Sequence, residues 1–181
     1  MAATKKMIEY AKGIAATLNL QEPNYDDWID THNFIDSNVK EYKEILHIKS
    51  NNLIADETLK SLTNTYRPVS KIFVDFVNSL DNVKGVYLFF HGNTVVYVGK
   101  SLNLKMRILS SLEERVKQIS IDYISAIECL TEADCHILEV VLITEFKPEL
   151  NVDCSCSDYS THFKSGLTVD DFMKIKIFDE V

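Results

Sequence analysis

Four side chains in the middle of this sequence have the types needed to handle a phosphate ester: Tyr87, Tyr97, Arg107 and Glu139. Phosphodiester hydrolysis needs a water that gives up a proton, positive charge against a phosphate gaining negative charge, and help for a leaving oxygen. A single carboxylate such as Glu139 can hold Mg²⁺, which takes one or two protein carboxylates and keeps several waters. Arg107 can grip a phosphate in a bidentate fork. A free phenol, with a pKa of about 10, is a poor base, but a neighbouring Lys or Arg favours its charged form.

Each residue also has a plainer reading. The two tyrosines can be a half-buried cross-strand pair, and Arg107 a helix-surface charge. Glu139 can be solvated, although it stands among Leu138, Val140, Val141 and Leu142, where a solvated charge is unexpected. Glu145 reads better as exposed surface, and His136 as a satisfied structural histidine rather than a ligand.

The elements that must position these residues start with Gly85–Lys100, GVYLFFHGNTVVYVGK, which reads as a β-hairpin. Side chains alternate along a strand, so loop length decides where the tyrosines point. A two-residue loop, Gly92-Asn93, puts Tyr87 and Tyr97 on opposite faces. A three-residue loop, His91 to Asn93, sets them directly opposite each other on one face, and it is favoured because Gly92 and Asn93 both tolerate a left-handed backbone. Beyond the hairpin, Ser101 is a plausible N-cap for a helix to about Lys117, residues 121–129 return to β character, and Thr131 with Asp134 opens a helix that Pro148 stops.

Before the hairpin the chain reads as helical. Residues 4–18 form an amphipathic helix capped by Thr4. Residues from Trp28 to Leu46 form one helix or two broken near His32-Asn33, and a further helix covers about Asp56–Thr65. Pro68 sits in a last first turn before Ile72, Phe73, Phe76, Val77 and Leu80. Trp28, the only tryptophan, reads as core or helix packing. In the tail, Asp170 or Asp171 suits a helix start, whereas MKIKIF alternates like a strand. The expected organisation is a helical region at 1–82, an α+β domain at 83–153 with a small three-stranded antiparallel or mixed sheet flanked by helices, and a tail at 154–181.

In this middle region the sequence resembles the GIY-YIG nucleases, a family of homing endonucleases, restriction enzymes, junction nucleases and the N-terminal incision domain of bacterial excision repair. Gly85-Val86-Tyr87 stands for GIY and Tyr97-Val98-Gly99 for YIG. GKSLNLKMR, ending at Arg107, is similar to the family's run after YIG, including Ser101, Asn103 and Leu104. LEVVLITEFKPELN resembles its closing helix, with Glu139 twelve residues before Asn151. The resemblance covers about 83–153 and implies a metal-dependent endonuclease acting on DNA. By it, Tyr87 is the general base, Tyr97 a second phosphate or water contact, Arg107 the phosphate clamp and Glu139 the ligand of Mg²⁺ or Mn²⁺. Lys100 assists Tyr87 by lowering its pKa; Ser101, Asn103 and Asn151 are substrate-binding, with Asn151 closing the site by hydrogen bonding. One departure stands out: many members carry His or Tyr four residues after the arginine, and here that residue is Ser111. This leaves an alternative, a catalytically weak or inactive domain of the same fold that acts by binding a protein or nucleic-acid partner.

Composition narrows the setting. At 181 residues the chain can bury a sizeable core, and no apolar run approaches the roughly 20 residues that span a bilayer. The expectation is a soluble intracellular protein with no membrane partner, in the cytoplasm first, with the nucleus as the alternative. Its four cysteines then read as reduced thiols. Cys154-Ser155-Cys156 with His162 is half a metal pattern, without the paired spacing of a zinc motif. The net charge of −8 opposes easy approach to DNA, so a phosphate-binding surface must be a local basic patch on an acidic body. The N-terminal helices are the candidate surface for a protein partner.

Overall fold

The computed structural model describes residues 1–151 and 165–179; the Cys154, Cys156 and His162 pattern lies outside the described residues. The chain divides into two compact units, Met1–Ile54 and Ala55–Val181.

In the first unit, α1 (Lys5–Leu18) starts at Thr4, whose hydroxyl accepts from the Met7 N–H, and ends on Asn19 in the left-handed region. It buries Ala11, Ile14 and Ala15, the stripe that its spacing predicts. The second helix, α2 (Trp28–Thr65), runs unbroken for 38 residues, so neither the break near His32-Asn33 nor a separate helix at 56–65 occurs. Trp28 is 37% exposed and stacks on His32 at 4.7 Å between ring centroids, a surface pair instead of core. With a residue four positions on, the indole finds its partner on its own helix face.

The second unit is built on an antiparallel sheet in the order β2-β1-β3-β4. Its strands are β1 (Gly85–His91), β2 (Thr94–Ser101), β3 (Tyr123–Glu128) and the two-residue β4 (Ile175–Lys176). The fold is α+β as expected, and the tail supplies the fourth strand. The end of that tail is anchored by long-range bonds: the Ser70 N–H donates to the Ile177 carbonyl at 2.8 Å and the Ser70 hydroxyl to the Lys176 carbonyl at 2.7 Å. The same Ser70 hydroxyl accepts from the Phe73 N–H and caps α3 (Lys71–Ser79). Pro68 therefore precedes the helix by more than a cap, outside its first turn.

The hairpin differs from expectation in a way that preserves its consequence. His91 pairs with Thr94, so the loop is the two-residue Gly92-Asn93, with Gly92 at φ +56°. Left alone, that loop would separate the tyrosines. The register shifts between Phe89 and Phe90, because Phe90 pairs with Val95 but Phe89 with Tyr97. Val96 is thus the extra residue of a β-bulge, and everything beyond it changes face. Tyr87 pairs with Gly99 rather than with Tyr97, and the two tyrosines share a face as diagonal neighbours.

Each face of the sheet carries its own helices. Tyr87, Phe89, Val96 and Tyr97 join Leu104, Ile108, Leu109 and Leu112 of α4 (Leu104–Arg115), together with Phe73 and Val77 of α3 and Leu62 of α2. Val86, Leu88, Phe90, Val95 and Val98 pack with Cys135, Leu142 and Ile143 of α5 (Glu132–Phe146), and with Phe172. The fifth helix begins with the capping box that Thr131 and Asp134 predict. The fourth is capped by Asn103, two residues later than the Ser101 cap expected from sequence. Among the described residues no helix is long and apolar enough to cross a membrane.

Gly85 sets the spacing between β1 and β3. A Cβ on it would lie 2.1 Å from the Ile127 carbonyl oxygen, backbone that cannot swing aside. Gly85→Ala is expected to cost about 1–3 kcal/mol, the range for forced backbone shifts in a packed core. Urea unfolding measures this; a midpoint equal to wild type would show that the β1–β3 spacing yields freely.

Candidate active site

Tyr87 and Tyr97 face α4 with ring centroids 5.9 Å apart. The glycine of Tyr97-Val98-Gly99 explains how two phenols fit there. A Cβ at Gly99 would stand 2.7 Å from the Tyr87 oxygen and 2.8 Å from Cε1 of Tyr97, so the strand must be bare at this point. Their environments then diverge. Tyr87 is fully buried, and its hydroxyl has no hydrogen-bond partner among the described residues. Burial, reinforced by Tyr97, pushes the Tyr87 pKa well above the usual phenol value; Ser111 and Arg107 pull the other way without reversing it. Ser111 is close enough to influence that titration, yet no bond of acceptable geometry joins it to the Tyr87 oxygen. Tyr97 is buried as well, but keeps 7% exposure where Tyr87 has none.

One stripe of α4 supplies the surrounding polar groups. Arg107, Ser111 and Arg115 follow one another at intervals of four, which places them on one helix face. Arg107 is on the surface, and its pKa is raised first by Tyr87 and further by Tyr97, against partial burial. Ser111, fully buried, accepts a 2.8 Å bond from an Arg115 terminal nitrogen. Arg115 lays its guanidinium 3.6 Å from the centre of the Tyr97 ring. Sequence reading missed Arg115, although its spacing from Arg107 and Ser111 was a usable signal.

Glu139 and Lys100 occupy the other face. Lys100 pairs with Val86, on the α5 side of the sheet, and its ammonium meets Glu139 at 2.8 Å. The expectation that Lys100 lowers the pKa of Tyr87 is therefore replaced by a pairing with Glu139, because β-strand alternation sends it away from the phenols. The Glu139 side chain is 14% exposed, a half-buried carboxylate held in one orientation by its lysine. The two groups thus flank β2, an edge strand, around Gly99 and Lys100.

Ser101, Asn103 and Asn151 are engaged in structure. The Ser101 hydroxyl donates to the Asn103 carbonyl and accepts its N–H, while the Asn103 side chain caps α4. Asn151 is buried: its Oδ1 accepts from the Val98 N–H at 2.8 Å and its Nδ2 donates to the Val98 carbonyl at 2.7 Å. That is closure by hydrogen bonding, directed at the β2 backbone. His136 is exposed, 3.7 Å from Glu132, and not the satisfied structural histidine expected. Glu145 is not free surface either, since it accepts both the N–H and the hydroxyl of Ser165.

A divalent cation fits the carboxylate present. Among the described residues no three His, Cys, Asp or Glu side chains gather into a metal cage. A lone, fixed Glu139 suits Mg²⁺, which takes one or two protein carboxylates and fills its other positions with water.

Residues 83–152 match the family model described as the UvrC-like GIY-YIG domain. UvrABC system protein C of Aquifex aeolicus is 39% identical over 75 residues, 38% of this chain and 13% of that protein. Its counterpart from Fusobacterium nucleatum is 34% identical over 100 residues, 51% of this chain and 17% of that protein. The chain thus spans a small fraction of the relatives it matches. A crystal structure of the N-terminal endonuclease domain of Thermotoga maritima UvrC, bound to magnesium as its catalytic cation, is 26% identical. It aligns with 46% of this chain and 99% of its own, at a TM-score of 0.41.

The buried Tyr87 phenol has a measurable signature. Its raised pKa favours the neutral form in the fold, so the stability it contributes is full below the unfolded pKa of about 10 and is lost as pH rises toward the folded value. Tyr87→Phe is expected to reduce the loss of stability between pH 7 and about pH 11. At pH 7 it should change stability by less than about 1 kcal/mol, because the oxygen it deletes has no hydrogen-bond partner among the described residues. Urea midpoints at both pH values decide this; an undiminished alkaline loss in the variant would show that Tyr87 is not the group responsible.

Proposed function

Residues 83–152 are a UvrC-like GIY-YIG domain, and from that premise we propose that the chain is a divalent-metal-dependent endonuclease hydrolysing a phosphodiester bond in DNA, with Tyr97 as the proton acceptor. The observation that carries this reading is the division of labour around one strand end. A phenol that keeps slight exposure, with Arg107 beside it, lies on one side, and a half-buried carboxylate fixed by a lysine lies on the other.

Tyr97 takes the role that the resemblance implied for Tyr87, since a proton acceptor must come within hydrogen-bond reach of a water and the Tyr87 oxygen is sealed. Tyr87 instead forms the floor beneath Gly99 and fixes where Tyr97 sits. Arg107 is the phosphate clamp: its planar fork matches two phosphate oxygens and opposes charge that builds on them. Glu139 is the residue that would hold Mg²⁺ or Mn²⁺, and Lys100 keeps its carboxylate turned to one position. When bound, the cation supplies positive charge against the phosphate. Ser101 and Asn103 fix the turn from β2 into α4, and so the place where Arg107 emerges.

The test is cleavage of a panel of duplex, nicked, flapped and branched DNA with Mg²⁺ or Mn²⁺ supplied. Wild type is expected to cut at least one member, and chelation to stop it. Tyr97→Phe should lose about 10²-fold or more, the usual contribution of a general base. Glu139→Ala and Arg107→Ala should be inactive while their circular dichroism matches wild type. A panel left intact by wild type with metal present refutes the proposal. Cleavage unaffected by Glu139→Ala would refute the assignment of the metal ligand.

A further inference from the structure

We propose that Arg115 is a positioning residue of the site, acting through Tyr97; the proposal rests on the hydrolytic reading above and adds a group to it. Three observations converge on this residue. Its guanidinium lies 3.6 Å from the centre of the Tyr97 ring, well inside the distance at which a cation is attracted to an aromatic face. Its side chain is only 13% exposed, so the contact is drawn out of water, where such attraction is stronger. It is also braced through one terminal nitrogen, which donates to the buried Ser111 hydroxyl at 2.8 Å and to the exposed Glu114 carboxylate at 3.1 Å.

Ser111 makes this arrangement possible. The serine offers an acceptor to a guanidinium one turn further along α4, and its small volume leaves the space in front of the Tyr97 ring to that guanidinium. A histidine or tyrosine at 111 would project into the same region. The position of Arg115 in the last turn of α4 adds to the fit, since a cation is favoured at a helix C-terminus. Tyr97 is therefore held on two sides, by Tyr87 and Gly99 at its edge and by Arg115 across its face. The phenol oxygen keeps one direction without Arg115 touching substrate.

The experiment uses the full chain with ¹³C-labelled tyrosine rings, the Tyr97 signals being assigned by their loss in Tyr97→Phe. Arg115→Met is expected to move the Tyr97 ring signals, while Lys117→Met, which removes an exposed cation two residues away, leaves them in place. On a DNA that wild type cuts, Arg115→Met should lower kcat roughly tenfold or more with KM within about twofold, the pattern of a lost transition-state arrangement. Arg115→Lys keeps a cation for the ring but loses the fork, and should fall between the two. Unmoved Tyr97 signals in Arg115→Met overturn the proposal. So does a loss confined to KM, which would make Arg115 a direct contact of the substrate, or a lysine variant no better than methionine. Failure of wild type to cut any DNA would refute the hydrolytic reading; the ring signals then decide by themselves whether Arg115 holds Tyr97.

Discussion

The tip of one buried tyrosine lies where another residue's side chain would begin, and most of the site follows from that constraint. With Tyr87 filling the space over Gly99, the strand is bare at that position and the Tyr97 ring leans across it. The crowding seals the lower phenol completely and leaves the upper one slightly exposed. Two chemically identical side chains so acquire different environments from packing alone. The bulge at Val96 is the backbone counterpart of this constraint, since without its extra residue the rings would be on opposite faces.

Much of this was legible in the sequence, and the failures have identifiable causes. Strand, strand, helix, strand, helix followed from alternation, capping signals and Pro148, because those are local rules. The shared face of the tyrosines was read correctly through an incorrect loop. A three-residue loop and a two-residue loop followed by a bulge both change the parity of pairing by one, and only the backbone tells them apart. The absence of Pro and Gly from the interior of α2 was a signal for its continuity, but its weak amphipathic pattern suggested pieces. The fourth strand was ambiguous because its partner, Tyr123–Ile124, lies about fifty residues away and sequence alternation is silent about pairing at that range.

The polar residues show the same division between local and non-local information. The resemblance sets Lys100 beside Tyr87, yet strand alternation puts neighbours such as Gly99 and Lys100 on opposite faces, and its partner comes from α5. Arg115 lies outside the motif run, which ends at Arg107. Charge explains why such a small cluster matters. On a chain of net charge −8, Arg107 and Arg115 concentrate positive charge beside one phenol, and Glu114 beside them offsets part of it. The net field of such a chain opposes a polyanion, and attraction from a cluster this small is short-ranged and easily screened by salt.

Asn151 has a meaning beyond the site. A sheet edge ordinarily presents a row of free N–H and C=O groups on which another chain can add a strand. At β2 the Asn151 amide answers both backbone groups of Val98, and the Leu150 N–H takes the Val96 carbonyl, so a short stretch of coil imitates the missing neighbour. At the opposite edge β4 is two residues long, too short to template anything. The sheet is thus blunted at both margins, which makes self-association by strand addition unfavourable.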